Sequence, residues 1–161
     1  MTVISDTSGI SALIQIGQLH LLESLFQEII IPQKVSDELM LLAKFGVDMN
    51  EFASARWIHV VQPSPTPLLQ HLSKTLHPGE SFAIALAIEL NADLLIVDDG
   101  EARRMAAQMN IPHTGIAGVL IRAKSRGLLP AVKPVLDEII ARANFRLHPK
   151  THQKILELAG E

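Results

Sequence analysis

Acidic side chains occur at four well-separated places in this sequence, at positions where the edge of a sheet could bring them together. Asp6 and Asp98 each follow a short apolar segment that is predicted to form a strand, and Glu38 and Glu80 lie near the starts of predicted helices. Clustered carboxylates repel one another unless a cation balances their charge. Carboxylate and water oxygens are the ligands that Mg²⁺ and Mn²⁺ prefer. The acids therefore predict a site for one of these cations.

The elements that would position these acids alternate between strands and helices. Strands are predicted at residues 3–5, 29–31, 58–61 and 94–97, with a short fifth strand at 111–113. Apolar residues recur at helical spacing between them, and three further helices are predicted near residues 116–126, 131–143 and 148–159. This alternation favours a parallel sheet with right-handed crossovers. The predicted fold class is α/β, a three-layer α/β/α sandwich with a central parallel sheet of four or five short strands.

In open sheets of this kind, ligands bind beyond the carboxyl ends of the strands, where the strand order reverses. Asp6, Asp98 and Asp99 follow strands and so lie at this edge, and the helices that carry Glu38 and Glu80 begin there. If the first strand neighbours the fourth, Asp6 and Asp98 flank the point of reversal. A cation bound there could activate water and neutralise charge on a phosphoryl group, which predicts phosphodiester hydrolysis.

Each acid also has a purely structural alternative. Glu80 and Asp98 are placed well to interact with helix N-termini, and Glu38 could be a solvated helix residue. Asp6 is the hardest to explain in this way, because an acid after a buried strand needs partners or solvent. Ser8 has two possible roles: it could orient a carboxylate or a metal-bound water, or cap the following helix.

Length and composition restrict the class of protein further. The chain has 161 residues, 48% of them hydrophobic and 19% charged, which excludes a disordered chain and predicts one domain over residues 1–161. Residues 128–161 are expected to be a helical extension of that domain. There is no cysteine, no apolar stretch approaching the ~18 residues of a membrane span, and no basic segment at the start typical of a signal peptide. A soluble intracellular protein with no membrane partner is expected.

The net charge of −3 conceals an uneven distribution along the chain. Residues 1–100 hold 4 basic and 12 acidic residues, whereas residues 101–161 hold 10 basic and 5 acidic ones. The basic residues after position 100 are candidates for binding phosphates along the approach to the acids. Ordinary solvation of helix faces is the alternative. The candidates for nucleic-acid binding are Arg103, Arg104, Arg122 and Lys124, with Arg126 and Arg142 in the same basic region.

Several segments together resemble a known family. They are Ile4-Ser5-Asp6-Thr7-Ser8, Ile31-Pro32 with Glu38-Leu39, Gly79-Glu80, and Leu95-Ile96-Val97-Asp98-Asp99. In this order, over residues 3 to about 126, they look like the PIN domain family of metal-dependent ribonucleases. The chain is most similar to PIN-like predicted nucleic-acid-binding proteins, in which Gly-Glu replaces the usual third Asp and an acid pair follows the fourth strand. The stretch from Thr114 to Leu120 and the pair Phe145-Arg146 share this resemblance.

The resemblance implies that Asp6, Glu38, Glu80 and Asp98 form a carboxylate quartet, with Asp99 as an additional or alternative ligand of Mg²⁺ or Mn²⁺. It implies cleavage of single-stranded RNA by a cytoplasmic protein, commonly a homodimer. Many relatives are toxins of toxin-antitoxin pairs, which a small antitoxin protein holds inactive. The alternative is a catalytically silent PIN-like module that binds RNA or a protein partner. Converging carboxylates would indicate the active ribonuclease. Carboxylates that are splayed apart, or paired with arginines, would indicate the silent module.

Overall fold

The computed structural model describes all 161 residues, and at its centre lies a five-stranded parallel sheet. The strands are β1 (Val3–Ser5), β2 (Ile29–Pro32), β3 (Ile58–Val61), β4 (Leu94–Ile96) and β5 (His113–Thr114). Their order in the sheet is β3-β2-β1-β4-β5. Strand β1 therefore lies between β2 and β4, with Ile4 opposite Ile30 on one side and Leu95 on the other. This order places the point of reversal between β1 and β4.

Ten α-helices and one 3₁₀ helix connect the strands. The α-helices are α1 (Thr7–Gln15), α2 (His20–Phe26), α3 (Gln33–Met40), α4 (Asn50–Ala53), α5 (Pro67–Leu72), α6 (Pro78–Glu89), α7 (Gly100–Gln108), α8 (Ile116–Ser125), α9 (Lys133–Arg142) and α10 (Pro149–Leu158). Proline begins α5, α6 and α10, since its fixed φ suits the first helical position and its missing N–H leaves no donor unpaired. None of these helices combines the length and the apolar character needed to cross a membrane.

The sheet is covered on both faces, so the predicted three-layer α/β/α architecture is confirmed. Successive residues of a strand point to opposite faces, and accordingly Val3 belongs to one core cluster and Ile4 to the other. The first cluster draws on α1, α2, α8 and α9, and the second on α5, α6 and α7. Helix α6 is buried over most of its surface, as its run of Ala, Ile and Leu predicts. Leu136 and Ile155, from the predicted extension, belong to the same cluster as Val3.

Two short elements and three strands differ from the prediction, since β2 extends to Pro32 and β4 ends at Ile96 rather than at residue 97. Helix α4 and the 3₁₀ helix Leu41–Phe45 were not predicted, because four or five residues are too few to show an apolar period. The fifth strand lies at His113–Thr114, slightly later than residues 111–113. None of these differences changes the edge of the sheet at which the acids lie.

The C-terminal helix α10 is held beside α8 and α9 by Glu161. Its carboxylate accepts hydrogen bonds from the backbone N–H groups of Val132 (2.6 Å) and Lys133 (3.1 Å), and it forms an ion pair with Lys124 (3.0 Å). These contacts, above all the hydrogen bond from Val132, lower the pKa of Glu161 to about 2. The connection before α10, residues 144–148, is thereby kept close to the edge of the sheet that carries the acids.

Candidate active site

Asp6 is the most deeply buried acid of the chain. It follows β1 at the N-cap position of α1, its side chain is fully buried, and neither carboxylate oxygen has a hydrogen-bond partner. Burial raises the pKa of Asp6, and the negative charges of Asp98 and Glu80 raise it further. The N–H groups of Ser8 and Gly9 face the carboxylate and offset part of this rise, but neither makes a hydrogen bond of normal geometry. The protein therefore keeps a buried acid whose two oxygens have no hydrogen-bond partner.

Asp98 follows β4 and reaches the same region from the neighbouring strand. One oxygen, Oδ1, accepts a hydrogen bond from the N–H of Ile116 at 2.9 Å, while the other, Oδ2, is buried without a partner. Burial raises the pKa of Asp98, and the hydrogen bond from Ile116 and the charge of Arg103 offset part of the rise. Asp98 is thus anchored through one oxygen, and its second oxygen remains free.

Glu80 and Asp99 lie beside each other at the starts of two helices. Glu80 is only 8% exposed, and its carboxylate accepts from the N–H of His77 at 3.3 Å in the first turn of α6. Burial raises the pKa of Glu80, with a further contribution from the charge of Asp99. The carboxylate of Asp99 accepts from the N–H of Ala102 at 3.1 Å and so caps α7. Asp98 and Asp99 thus each accept one hydrogen bond at a helix N-terminus, and they differ in that Asp99 is exposed whereas the second oxygen of Asp98 is buried.

Glu38 is held in place by groups from two other elements. The hydroxyl of Thr7 donates a hydrogen bond to Oε2, and the N–H of Gly79 donates to Oε1 at 3.2 Å. A Cβ at position 79 would lie 2.5 Å from Oε2, so only glycine allows this approach. Glu38 is therefore not a solvated helix residue. Thr7 was not predicted to have a role, because the sequence does not show that a hydroxyl on α1 would meet a carboxylate from α3.

The acids line two adjoining clefts. The first, of about 300 Å³, is lined by Asp6, Ser8, Glu38 and Glu80 among others, and the second, of about 370 Å³, by Ser8, Glu80, Asp98 and Asp99 among others. Ser8 is exposed, lies inside the first turn of α1 rather than at its cap, and lines both clefts. We call the two together the acidic cleft. Two wider surface depressions elsewhere, of about 540 Å³ each, contain no buried polar atom without a partner.

The acidic cleft contains donors for a cation but no ready-made metal site. No three histidine, aspartate or glutamate side chains stand together closely enough to hold an ion. However, the only buried side-chain oxygens or nitrogens without a partner are both oxygens of Asp6 and one of Asp98. None of the four predicted catalytic acids is paired with a lysine or an arginine. An oxygen-only donor set with free, buried oxygens fits Mg²⁺ or Mn²⁺.

The basic residues are distributed differently from the prediction. Arg103 lies near Asp98, whose pKa its charge lowers, but Arg104 is paired with Glu101 on its own helix. Arg122 lies over the ring of Phe26 at 5.5 Å. Lys124 donates to the carbonyl of Ala159 and to Glu161, as described above. The expectation that all four line the approach to the acids is not met by Arg104, Arg122 or Lys124, because none of them lines a pocket shared with the candidate acids.

An unpredicted basic residue lies where Arg122 and Lys124 were expected. Arg146, in the connection between α9 and α10, lines the second part of the acidic cleft together with Phe145 and Asn144. The pair Phe145-Arg146 is part of the family resemblance, but no local spacing shows that residues 144–148 return to the acidic edge. That position depends on the packing of α10 against α8.

The hydrogen bond from Ile116 to Asp98 leads to a prediction about Gly115, which lies beside it. A Cβ at this position would lie 2.6 Å from Asp98 Oδ1. We expect Gly115→Ala to displace the carboxylate, to weaken its hydrogen bond to Ile116, and to lower the free energy of unfolding by about 1–3 kcal/mol, as overpacking does elsewhere. Urea denaturation measures the change. Gly100→Ala is the matched control, since no atom lies within 4 Å of its added Cβ. An equal effect of the two variants would contradict the role given to Gly115.

Comparison with known proteins agrees with this architecture. A family model described as the PIN domain matches residues 2–161. Among solved structures, the chain is similar to a PilT N-terminus domain protein from the hyperthermophilic archaeon Sulfolobus solfataricus P2, with 25% identity and a TM-score of 0.53 over 74% of this chain and 90% of that one. No curated protein matches the sequence. Because the family model extends over almost the whole chain, the protein belongs to the PIN domain family, as the order of its acids predicted.

Proposed function

We propose that this protein is an Mg²⁺- or Mn²⁺-dependent ribonuclease that hydrolyses phosphodiester bonds in single-stranded RNA. PIN domains are typically nucleases and generally use divalent metals. The observation that carries the proposal for this chain is the set of three buried carboxylate oxygens without partners, two on Asp6 and one on Asp98. Leaving such groups unsatisfied costs stability, so they are best explained by a ligand that binds to them.

The residues of the acidic cleft divide into two kinds. Asp6, Asp98 and Glu80 would hold the cation, since Asp6 and Asp98 have free oxygens and burial raises the pKa of all three. When bound, the cation supplies an activated water and offsets negative charge on the phosphoryl group. Glu38 has hydrogen bonds to Thr7 and Gly79 that orient it towards the same cleft, so we assign it a positioning role. Asp99, which caps α7, adds negative charge beside Glu80.

The substrate would meet both signs of charge at this edge. Arg103 and Arg146 line the region around Asp98 and form no ion pair, so both are available to phosphate groups. Ser8 is exposed between the two parts of the cleft and can donate a hydrogen bond to a phosphate oxygen or a bound water. These residues bind and orient a chain of phosphates, whereas the acids hold the cation.

A chelation experiment tests the proposal. Purified protein is incubated with a panel of single-stranded RNAs of differing sequence in Mg²⁺ or Mn²⁺, and products are resolved on a denaturing gel. We expect cleavage of at least one RNA, its loss in EDTA, and its recovery when excess Mn²⁺ is added. Binding of these RNAs without cleavage under any metal condition would instead indicate the catalytically silent module. An antitoxin partner, a homodimer and a cytoplasmic location remain predictions from the family resemblance.

A further inference from the structure

A second pocket adjoins the acidic cleft and has a different lining. It lies between the start of α8, helix α10 and residues 144–148, and has a volume of about 340 Å³. We call it the α8–α10 pocket. Asp98, Phe145 and Arg146 line both this pocket and the acidic cleft, so the two spaces are continuous. Its volume falls at the lower end of the roughly 300–1,000 Å³ range of small-ligand sites.

The walls of the α8–α10 pocket combine apolar surface with unpaired cations. Ile121, Phe145 and Ile155 supply apolar atoms, with Phe145 half-buried. Arg103 and Arg146 border the same space, and neither guanidinium takes part in an ion pair. Flat apolar surface beside guanidinium groups is the environment that binds an unstacked nucleobase, since aromatic and arginine planes stack on its faces.

A glycine in the first turn of α8 forms part of the pocket wall. Gly118 lines the pocket together with Thr114, and a Cβ at position 118 would collide with the hydroxyl of Thr114. A side chain at position 118 would therefore displace Thr114, so glycine at this position preserves the wall of the pocket.

The geometry points to the α8–α10 pocket as a nucleobase subsite, which accepts one unstacked base of a single strand whose backbone runs through the acidic cleft. This inference rests on the proposed function. An apolar side chain of a partner protein is a poorer occupant of the pocket. It would leave the guanidinium groups of Arg103 and Arg146 and the free oxygen of Asp98 without hydrogen-bond partners. The subsite explains a preference for single strands: a base within a duplex is stacked and paired, and entering the pocket would require both interactions to be broken.

Nucleotide titration tests the subsite without any cleavage. The four ribonucleoside 5′-monophosphates have no internal phosphodiester bond, and ribose 5-phosphate provides the same phosphate without a base. We expect amide NMR signals of Thr114, Gly115 and Gly118 to shift on titration. The best nucleotide should bind about fivefold or more tightly than ribose 5-phosphate, a difference within the range of base stacking on an aromatic group.

Matched variants locate the binding. We expect Arg103→Gln to weaken the best nucleotide about threefold or more, and to weaken it more than it weakens ribose 5-phosphate, which carries the phosphate alone. Arg104→Gln, its neighbour on α7 that is paired with Glu101 and lies outside the pocket, should leave the affinity unchanged. Equal affinity for the best nucleotide and ribose 5-phosphate would overturn the subsite, as would equal effects of the two variants.

The two proposals fail in different ways. If the wild type cleaves RNA but no nucleotide shifts these amide signals, the subsite is wrong and the nuclease assignment stands. If a nucleotide binds in the pocket with base preference but no RNA is cleaved, the nuclease assignment is wrong and the subsite stands as part of an RNA-binding module. Shifts confined to positions outside the pocket, such as the exposed side chain of Phe45, with none at Thr114 to Gly118, overturn the subsite alone.

Discussion

The Asp6→Asn variant is expected to lose cleavage of RNA by at least about a hundredfold, because loss of a group that merely supports a metal ligand typically costs 10–100-fold. Both oxygens of Asp6 are buried and free, and an asparagine offers only one oxygen and no charge to a cation. Initial rates of cleavage of the RNA that the wild type cleaves best, measured at saturating Mn²⁺, provide the comparison.

The same substitution is expected to stabilise the protein. In the absence of metal, Asp6 is buried near Asp98 and Glu80, and this burial and repulsion raise its pKa. Removing the charge relieves both effects, and we expect a gain of about 0.5–2 kcal/mol at pH 8, similar to that of other substitutions that relieve functional strain. Thermal denaturation in EDTA measures it. A gain in stability together with a loss of cleavage is the signature of a functional acid.

The control for this experiment is Asp37→Asn, which makes the same chemical change on the exposed face of α3. Asp37 accepts a hydrogen bond from Gln33 and lines neither part of the acidic cleft. We expect cleavage to be unchanged and stability to change by less than about 0.5 kcal/mol. Unimpaired cleavage by Asp6→Asn would refute the site. Lower stability of Asp6→Asn would show that Asp6 supports the fold at the start of α1.

The positions of the acids could be predicted because they follow from topology. Once β1 and β4 are parallel neighbours, the residues after them must share an edge, so Asp6 and Asp98 were placed together from their order alone. The helix starts before Glu38 and Glu80 follow from the same rule. The greater burial of Asp98 relative to Asp99 could not be predicted, because it depends on how the residues after β4 turn into α7.

The positions of the basic residues were predicted less well, because the distribution of charge along a sequence does not show which face of the folded protein each residue occupies. Arg122 and Lys124 belong to the basic half of the sequence, yet they contact Phe26 and Glu161 and line no part of the acidic cleft. Arg146 lies at the acidic cleft only because α10 packs back against α8. Such placement depends on contacts between segments distant in sequence, whereas local patterns record only secondary structure and burial.

The stability of the metal-free protein is expected to decrease as the pH rises above about 4, the range in which these acids lose their protons in the unfolded chain. Burial raises the pKa of Asp6, Glu80 and Asp98 above the values of the unfolded chain. As the pH rises past the unfolded values, the unfolded state loses protons that the native state still holds, so the native state loses stability until its own raised pKa values are passed. Glu161, Asp137 and Glu89 have lowered pKa values and act in the opposite sense, mainly below pH 4.5.

A divalent cation should reverse this loss, and its effect should grow with pH. Protons compete with metal for carboxylates, so the affinity is expected to be weak at pH 5 and strong at pH 8. Ligand at a hundredfold its Kd adds about 2.7 kcal/mol, which corresponds to a rise in Tm of about 5–10 °C for a chain of this size. We expect a rise of this order with Mn²⁺ at pH 8 and little change at pH 5, measured by scanning fluorimetry.

Two comparisons separate a specific site from general screening of charge. NaCl at matched ionic strength tests screening, and it should produce a small fraction of the Mn²⁺ effect, since buried groups are screened less than exposed ones. Asp6→Asn should lose most of the Mn²⁺ effect while starting from a higher Tm, because its repulsion is already relieved. An Mn²⁺ effect as large in Asp6→Asn as in the wild type would place the cation elsewhere. Equal effects at pH 5 and pH 8 would exclude carboxylates with raised pKa as its ligands.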